Sequence, residues 1–336
     1  MRIHELTQRL RDAGAGPSHT QRILRLWSHA LPRDSGRRPP HSFFPASLMA
    51  ALPGIEAELA GLARIHAVHP GADGSERLLV ALADGQTVES VLLPRDGLCV
   101  SSQVGCAVGC QFCMTGRDGL IRQVSSGEII AQVVLARRRR PVKKVVFMGM
   151  GEPAHNLDNV LDAIELLGVE GNIAHKNLVF STVGDPRVFE RLGSGRVKPA
   201  LALSLHTTKP ALRERLLPRA PRISPGELVA QGEAYARLTG YPVQYQWTLL
   251  DGVNDGQDEL DGIVDLLRGK YAVLNMIPYN TIPDLPFRRP SWDKARAIAS
   301  ALHARGVLTK LRDSAGQDVD GGCGQLRART IPIKAA

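Results

Sequence analysis

Leu98-Cys-Val-Ser-Ser-Gln-Val-Gly-Cys106-Ala-Val-Gly-Cys110-Gln-Phe-Cys113 runs from a short apolar strand candidate into a loop with three closely spaced cysteines. Three residues separate the first two of these thiols and two separate the next pair, so one loop can turn all three sulfurs inward. Thiolates are the ligands that iron–sulfur clusters take. A four-iron cubane held by three cysteines leaves one iron open to a non-protein ligand, and an open coordination position marks a catalytic centre, as it does for zinc. Zinc is the rival occupant. It wants four ligands, usually from a second paired Cys or His motif, and the distant Cys323 stands alone.

Outward from this loop, short apolar runs alternate with helical stretches. The strand candidates are 98–102, 145–149, 178–181, 201–205, 245–250, 273–277 and 308–311. Helices are expected at 126–138, 157–167, 210–216, 226–238, 258–268 and 291–305. Ser125 and Glu128 have the spacing of a capping box for the first of these helices. Repeated β–α units imply a parallel sheet with right-handed crossovers, and in such sheets the chemistry sits at the carboxyl ends of the strands. On the amino-terminal side, residues 3–30 have helical periodicity and Pro32–Pro40 is a break. A short helix is expected over Pro45–Ala51. Residues 61–94 alternate as strands punctuated by Gly71 and Gly85, which predicts a small sheet.

The chain has 336 residues, 43% hydrophobic and 22% charged, enough for a large domain with a smaller addition. No window approaches the ~20 apolar residues of a membrane helix. The amino-terminal stretch is charged throughout and lacks the apolar core of a secretory signal, so the expected location is cytoplasmic. A net charge of +9 fits a polyanionic partner, of which nucleic acid is the commonest, and equally a chain that uses Arg for solubility. The five cysteines are too few and too clustered for a secreted disulfide framework.

The cysteine motif and its β–α setting resemble the radical S-adenosylmethionine (SAM) superfamily. The wider string from Leu98 to Cys113 is similar to the RlmN/Cfr family of radical RNA adenine methyltransferases. Met148-Gly-Met-Gly-Glu-Pro153, Leu203-Ser-Leu-His206, Asp251-Gly-Val-Asn-Asp255, Ile277-Pro-Tyr-Asn280 and Asp318-Val-Asp-Gly-Gly-Cys-Gly-Gln-Leu326 follow in the family's order. The resemblance spans residues 86–327. It implies an α/β fold, a partial (β/α)6 radical-SAM barrel with a small amino-terminal helical accessory region and a short β-sheet. The expected organisation is a helical region at 1–60, a β extension at 61–94, a radical SAM core with its carboxy-terminal cysteine loop at 95–327, and a tail at 328–336.

By resemblance, Cys106, Cys110 and Cys113 hold a [4Fe–4S] cluster, and Gly151, Glu152, Ser181, Ser204, Leu205, His206 and Asn280 line the S-adenosylmethionine site. Glycines let backbone approach a ligand closely, and the Glu152 carboxylate suits the cofactor's ammonium group. Cys323, in a Gly-rich turn expected to leave its sulfur mobile, matches the methyl-carrying cysteine. Its thiolate would take a methyl from one S-adenosylmethionine, and the 5′-deoxyadenosyl radical from a second would abstract a hydrogen from that methyl. The carbon radical would then add to an adenine ring carbon, C2 preferred and C8 of the Cfr type as the alternative. Glu89 matches the proton acceptor. Cys99 matches the resolving cysteine, which would release product by forming a transient disulfide with Cys323.

The implied substrate is rRNA or tRNA. An electron donor such as flavodoxin or ferredoxin is also implied, and the protein is expected to be a monomer. Arg137–Arg140 with Lys143 and Lys144, and Arg213, Arg215, Arg219 and Arg222, are candidate phosphate contacts. Chemistry on one base requires that base to leave its stack. A non-catalytic iron–sulfur RNA-binding protein is the alternative from a different class, but it would have no use for Cys99 and Cys323.

Overall fold

The computed structural model describes residues 1–328. The chain opens with α1 (Ile3–Asp12), α2 (Pro17–Ser28), α3 (Pro40–Phe43) and α4 (Ala46–Gly61). The periodic stretch 3–30 is thus two helices. Gly14 lies between them at φ +93°, a conformation that favours glycine, and Pro17 starts the second at its first position. Helix α4 runs ten residues past the expected end at Ala51, straight through Pro53. Proline costs one i→i−4 hydrogen bond, but Leu48, Leu52, Ile55 and Leu59 keep one face buried across it.

Strands β1 (Ala63–Pro70), β2 (Glu76–Leu82) and β3 (Thr87–Leu92) follow, then β4 (Gly97–Cys99). They do not form a separate sheet. Successive antiparallel pairs join β1 to β2, β2 to β3 and β3 to β4, so the expected β extension is the edge of the main sheet. An unforeseen ribbon comes next, β5 (Gln103–Gly105) paired with β6 (Leu120–Gln123), and the cysteine loop spans its two strands.

The remaining elements are α5 (Ser126–Arg137), β7 (Lys144–Phe147), α6 (Leu157–Val169), β8 (Leu178–Thr182), α7 (Pro186–Ser194), β9 (Ala200–Ser204), α8 (Pro210–Leu216), α9 (Pro225–Thr239), β10 (Val243–Leu249), α10 (Gln257–Leu267), β11 (Ala272–Pro278), α11 (Trp292–Ala304) and β12 (Thr309–Leu311). The capping box forms at α5: Ser125 Oγ accepts from Glu128 N at 3.3 Å and Ser125 N donates to Glu128 Oε2 at 2.8 Å. Helix α7 was not anticipated, although Asp185-Pro186 is a start signal: Asp185 caps it and Pro186 takes the first position.

The sheet has ten strands in the order β1-β2-β3-β4-β7-β8-β9-β10-β11-β12, and every pair from β4 onward is parallel. Six β–α units and a closing strand make the partial barrel, as expected. The amino-terminal helices dock on its outside: Arg2 pairs with Asp162 at 2.9 Å and Ile3 N donates to Ser126 Oγ at 2.9 Å.

Side chains alternate between the helix layer and the barrel interior. On β10, Tyr245, Trp247 and Leu249 are buried toward the helices, while Gln244, Gln246 and Thr248 take the other face. Cross-strand partners share a face, so Cys99, Val146, Val179 and Ala200 lie in one row inside the barrel.

Candidate active site

The cysteine loop hangs from a neck of glycines. Cys106 N donates to the Gly119 carbonyl at 2.9 Å, and a Cβ at Gly105 (φ +78°) would lie 2.1 Å from that same oxygen. Cys106 is buried, and Cys110 and Cys113 are half-buried. Phe112, Leu216, Tyr279 and Ile282 wrap the loop in apolar contact. Burial, then the neighbouring Cys113 and Cys106 sulfurs, push the Cys110 thiol well above its ordinary pKa. Uncharged thiols in an apolar nest become thiolates when a metal takes the protons' place. Among the described residues no three His, Cys, Asp or Glu side chains converge on one ion position. Three thiols held in one loop are donors of the kind an iron–sulfur cluster takes.

The resemblance-derived cofactor residues lie at or just beyond the carboxyl ends of β7, β8, β9 and β11. Gly151 (φ +104°) allows contact with Gln103, whose Cβ would stand 2.6 Å from any Cβ there. Glu152 is buried; Oε1 accepts from Ala154 N and Oε2 from Val183 N, both at 3.0 Å. Burial, helped by the nearby Asp185 charge, pushes its pKa up to about 7. An ammonium group on a ligand would restore the charge. Ser181 and Ser204 are half-buried and Leu205 is fully buried. His206 adopts φ +59°, and its Nδ1 accepts from Thr248 N at 3.0 Å. Burial holds its pKa down at about 3, so the ring is neutral.

Asn280 links this group to the last cysteine. Its Nδ2 donates to the Cys323 carbonyl and to Ser314 Oγ, each at 2.9 Å. Met114 N donates to the Gly324 carbonyl at 2.7 Å and Thr115 Oγ1 to the Leu326 carbonyl at 2.7 Å. The loop expected to be mobile is therefore pinned to the cluster loop. Its glycines serve close approach: a Cβ at Gly322 would lie 2.8 Å from Asn280 Nδ2. Cys323 itself is exposed. It lines a cavity of about 270 Å³ together with Cys99 and Cys113. All five cysteines are free. Burial, then the Cys323 sulfur, push the Cys99 thiol up to about 12.

Glu89 is not among the residues lining that cavity. It lies fully buried in β3, bonded to Arg77 on the neighbouring strand, and the Arg327 backbone N–H donates to its second oxygen at 2.7 Å. A carboxylate without water requires such partners. Burial raises its pKa and Arg77 opposes the rise.

The basic run 137–144 is mostly spent on internal bracing. Arg137 donates to the carbonyls of Ser28, Val142 and Gly171, Arg140 to those of Gly74 and Leu93, and Arg139 and Lys143 pair with Glu76 and Asp96. In the second run Arg213 is buried, donating to the Ser204 and Leu205 carbonyls at 2.7 and 2.8 Å and to the Val183 carbonyl. Arg215, Arg219 and Arg222 stay exposed, and Arg219 packs against Gly109 of the cysteine loop.

Two supporting residues escaped the sequence reading. Gln103 Oε1 accepts from Glu152 N at 2.7 Å. Asn254 Nδ2 donates to the His206 carbonyl at 2.7 Å and the Thr248 carbonyl at 2.8 Å, while its Oδ1 accepts from Leu250 N at 2.8 Å. Asn254 sits in the quoted Asp251–Asp255 motif, so the motif pointed at it without giving its task.

Residues 100–267 match the radical SAM superfamily. A "Probable RNA methyltransferase" of Leptothrix cholodnii is 71% identical over 100% of this chain and 96% of the relative. Another protein of that description, from Aromatoleum aromaticum, is 72% identical over 98% of this chain and 93% of its own. The crystal structure of a radical SAM methyltransferase from Sphaerobacter thermophilus superimposes with a TM-score of 0.84 at 34% identity, covering 98% of each chain.

Proposed function

The chain belongs to the radical SAM superfamily, and on that premise we propose that it is an RNA methyltransferase that methylates an adenine ring carbon, C2 by preference, in rRNA or tRNA. The carrying observation is that Cys323, Cys99 and Cys113 line one cavity. A cluster-binding cysteine beside two further thiols is what a methyl-carrying and a resolving cysteine require. Full-length relatives described as RNA methyltransferases support the substrate class.

Cys106, Cys110 and Cys113 would hold the [4Fe–4S] cluster, and Glu152, Ser181, Ser204, His206 and Asn280 would seat S-adenosylmethionine beside it, on Gly151 and Leu205. When bound, these groups supply a methyl group and the one-electron chemistry that activates it. Cys323 accepts the methyl on its sulfur, losing its proton, and presents it to the base. Asn280 and Met114 fix the backbone on which that sulfur turns. Once the transferred carbon is bonded to the ring, Cys99 would attack the Cys323 sulfur; the bond from that sulfur to the carbon breaks as the S–S bond forms, the methylated base leaves, and an external thiol reductant restores the two thiols. Glu89 receives the proton from the adenine carbon after the cap of Arg77 and Arg327 opens. Two molecules of S-adenosylmethionine are used per turnover. No helix among the described residues is long and apolar enough to cross a membrane.

The test is nucleoside mass spectrometry of RNA after incubation with anaerobically reconstituted protein, reductant and S-adenosylmethionine. The expected products are 5′-deoxyadenosine and 2-methyladenosine. Deoxyadenosine release with no methylated RNA nucleoside would overturn the reading.

A further inference from the structure

The interior wall of the barrel opposite the thiols is polar, and no step above uses it. Ser204, Gln246, Asn275 and Lys310 are cross-strand neighbours on β9, β10, β11 and β12, so they form one row on the interior face. Gln244 precedes Gln246 by one pleat. Gln244, Gln246 and Asn275 line the cavity that holds Cys99 and Cys323. Gln246 and Asn275 are buried, at 9% and 4% exposure. Burying amides in a barrel costs free energy unless they bond something.

The protein satisfies these amides unequally. Asn275 Nδ2 donates to Gln244 Oε1 at 3.4 Å, and Arg312 Nε donates to Asn275 Oδ1 at 3.1 Å. Gln246 Nε2 makes one long bond, 3.3 Å to the Gln244 carbonyl. Its side-chain carbonyl accepts no hydrogen bond among the described residues. The Gln246 backbone carbonyl meanwhile accepts from Leu205 N at 3.0 Å and His206 N at 3.3 Å. The main chain of Gln246 thus holds the Ser204–His206 segment, which leaves its amide group for the cavity.

The neighbouring wall is apolar: Val146, Met148 and Cys99 line the cavity and cluster with the small buried side chains of Val179, Ala200 and Ala202. At the rim, Lys144 and Arg312 also line the cavity. No carboxylate pairs with either among the described residues, and Lys310 stands close by. Burial and the like charges of Arg312 and Lys310 hold the Lys144 pKa below its ordinary value. Asp313 also lines the cavity but pairs with Arg289 at 3.1 Å, which leaves Lys144 and Arg312 to meet an anionic ligand.

We propose that Gln246, backed by Asn275 and Gln244, reads the edge of an adenine drawn into the barrel, while Lys144 and Arg312 hold the flanking phosphates at its mouth. A single amide carries a donor and an acceptor in one plane, which is the complement of the donor–acceptor pair on adenine. At the same positions guanine presents two acceptors, O6 and N7, so the amide oxygen would face a second acceptor. The flat, small-residue wall suits a ring, and the cavity admits one extruded base but no duplex. Phosphate contacts position the strand and the amide specifies the base.

This inference rests on the RNA reading above, and the experiment separates the two. The probes are fluorescein-labelled single-stranded oligouridylates carrying one central adenosine or one central guanosine. Binding to the reconstituted full-length protein is read by anisotropy. The wild type is expected to prefer the adenosine probe by roughly tenfold or more, the discrimination of one good bidentate pair. Gln246→Leu should reduce the ratio to about one by weakening only the adenosine probe. Gln246→Glu, which keeps size and polarity but loses the donor, should also lower the ratio and guards against a packing artefact. Lys144→Gln and Arg312→Gln should weaken both probes alike and flatten the salt dependence. A wild-type ratio retained in both Gln246 variants overturns the proposal. So does a Gln246 variant whose main defect is RNA-free 5′-deoxyadenosine release, because the side chain then serves the cofactor. A wild type that releases deoxyadenosine but binds neither probe overturns the RNA reading itself.

Discussion

Cys99 on β4 and Cys323 in the carboxy-terminal loop line one cavity, close enough that the Cys323 sulfur raises the pKa of Cys99. Both are reduced. Only a thiolate attacks sulfur, and a Cys99 thiol pushed up to about 12 is almost never ionised at neutral pH. Attack by the Cys99 sulfur is therefore slow at neutral pH.

Cys323→Ala should abolish methylation, because no other free thiol occupies that loop. Cys99→Ala should instead stop at a covalent protein–RNA adduct, visible as a mass increase that nuclease digestion trims to a nucleotide. A Cys99→Ala protein that turns over normally would remove the resolving role.

The raised thiol pKa sets a pH dependence. Below about 12 the thiolate fraction of Cys99 grows tenfold per pH unit. Disulfide closure between Cys99 and Cys323 under a mild oxidant should accelerate by about tenfold per pH unit, about a hundredfold from pH 7 to pH 9. Peptide mapping of the oxidised protein follows it, and a flat rate would mean that something lowers the pKa of Cys99.

His206 defines an acid limit. Its folded pKa is about 3 against an ordinary 6.5, so between these values the unfolded chain binds a proton that the native state refuses. Its contribution is fully present above pH 6.5 and is lost as pH falls, at up to about 1.4 kcal/mol per unit. His206→Asn can keep the acceptor for Thr248 N–H and tolerates positive φ. Melts of the two proteins should agree near pH 7 and diverge below pH 6, with the variant less acid-sensitive.

Asn254→Ala removes three buried hydrogen bonds around His206. At about 1 kcal/mol each, plus the unsatisfied groups left behind, the loss should be on the order of 3 kcal/mol. Denaturant unfolding measures it. Affinity for S-adenosylmethionine should fall as well, since the His206 carbonyl loses its tie.

Arg77→Met should strand the Glu89 carboxylate, which is fully buried. Breaking such a pair costs on the order of 3–5 kcal/mol. The double variant Arg77→Met, Glu89→Gln should recover most of that stability, and equal melting temperatures for the single and double variants would show that the ion pair does not hold this corner.

Local patterns along the chain were legible. The cysteine spacing marked one loop with three inward thiols as the candidate cluster site, the Ser125–Glu128 spacing located the start of α5, and the β–α alternation gave the barrel. Errors arose where a local signal was overruled by packing, as when α4 continued through Pro53 because its apolar face stayed buried. The run Arg137–Arg140 read as an RNA contact because charge is visible in sequence, whereas the carbonyls and carboxylates that absorb it come from Ser28, Gly74, Glu76 and Gly171.

Features carried by residues close in sequence were therefore determined by the sequence itself: the three-thiol loop, the helix caps, and the motifs that end each strand. Which distant groups meet was decided only by the tertiary structure. The curl of the parallel sheet puts Cys99, Gln246 and Cys323 around one cavity, and the cost of burying a lone charge joins Glu89 to Arg77. The physical reason is that spacing encodes what one loop can present, while long-range juxtaposition depends on strand register, sheet curvature and the partner each buried polar group finds.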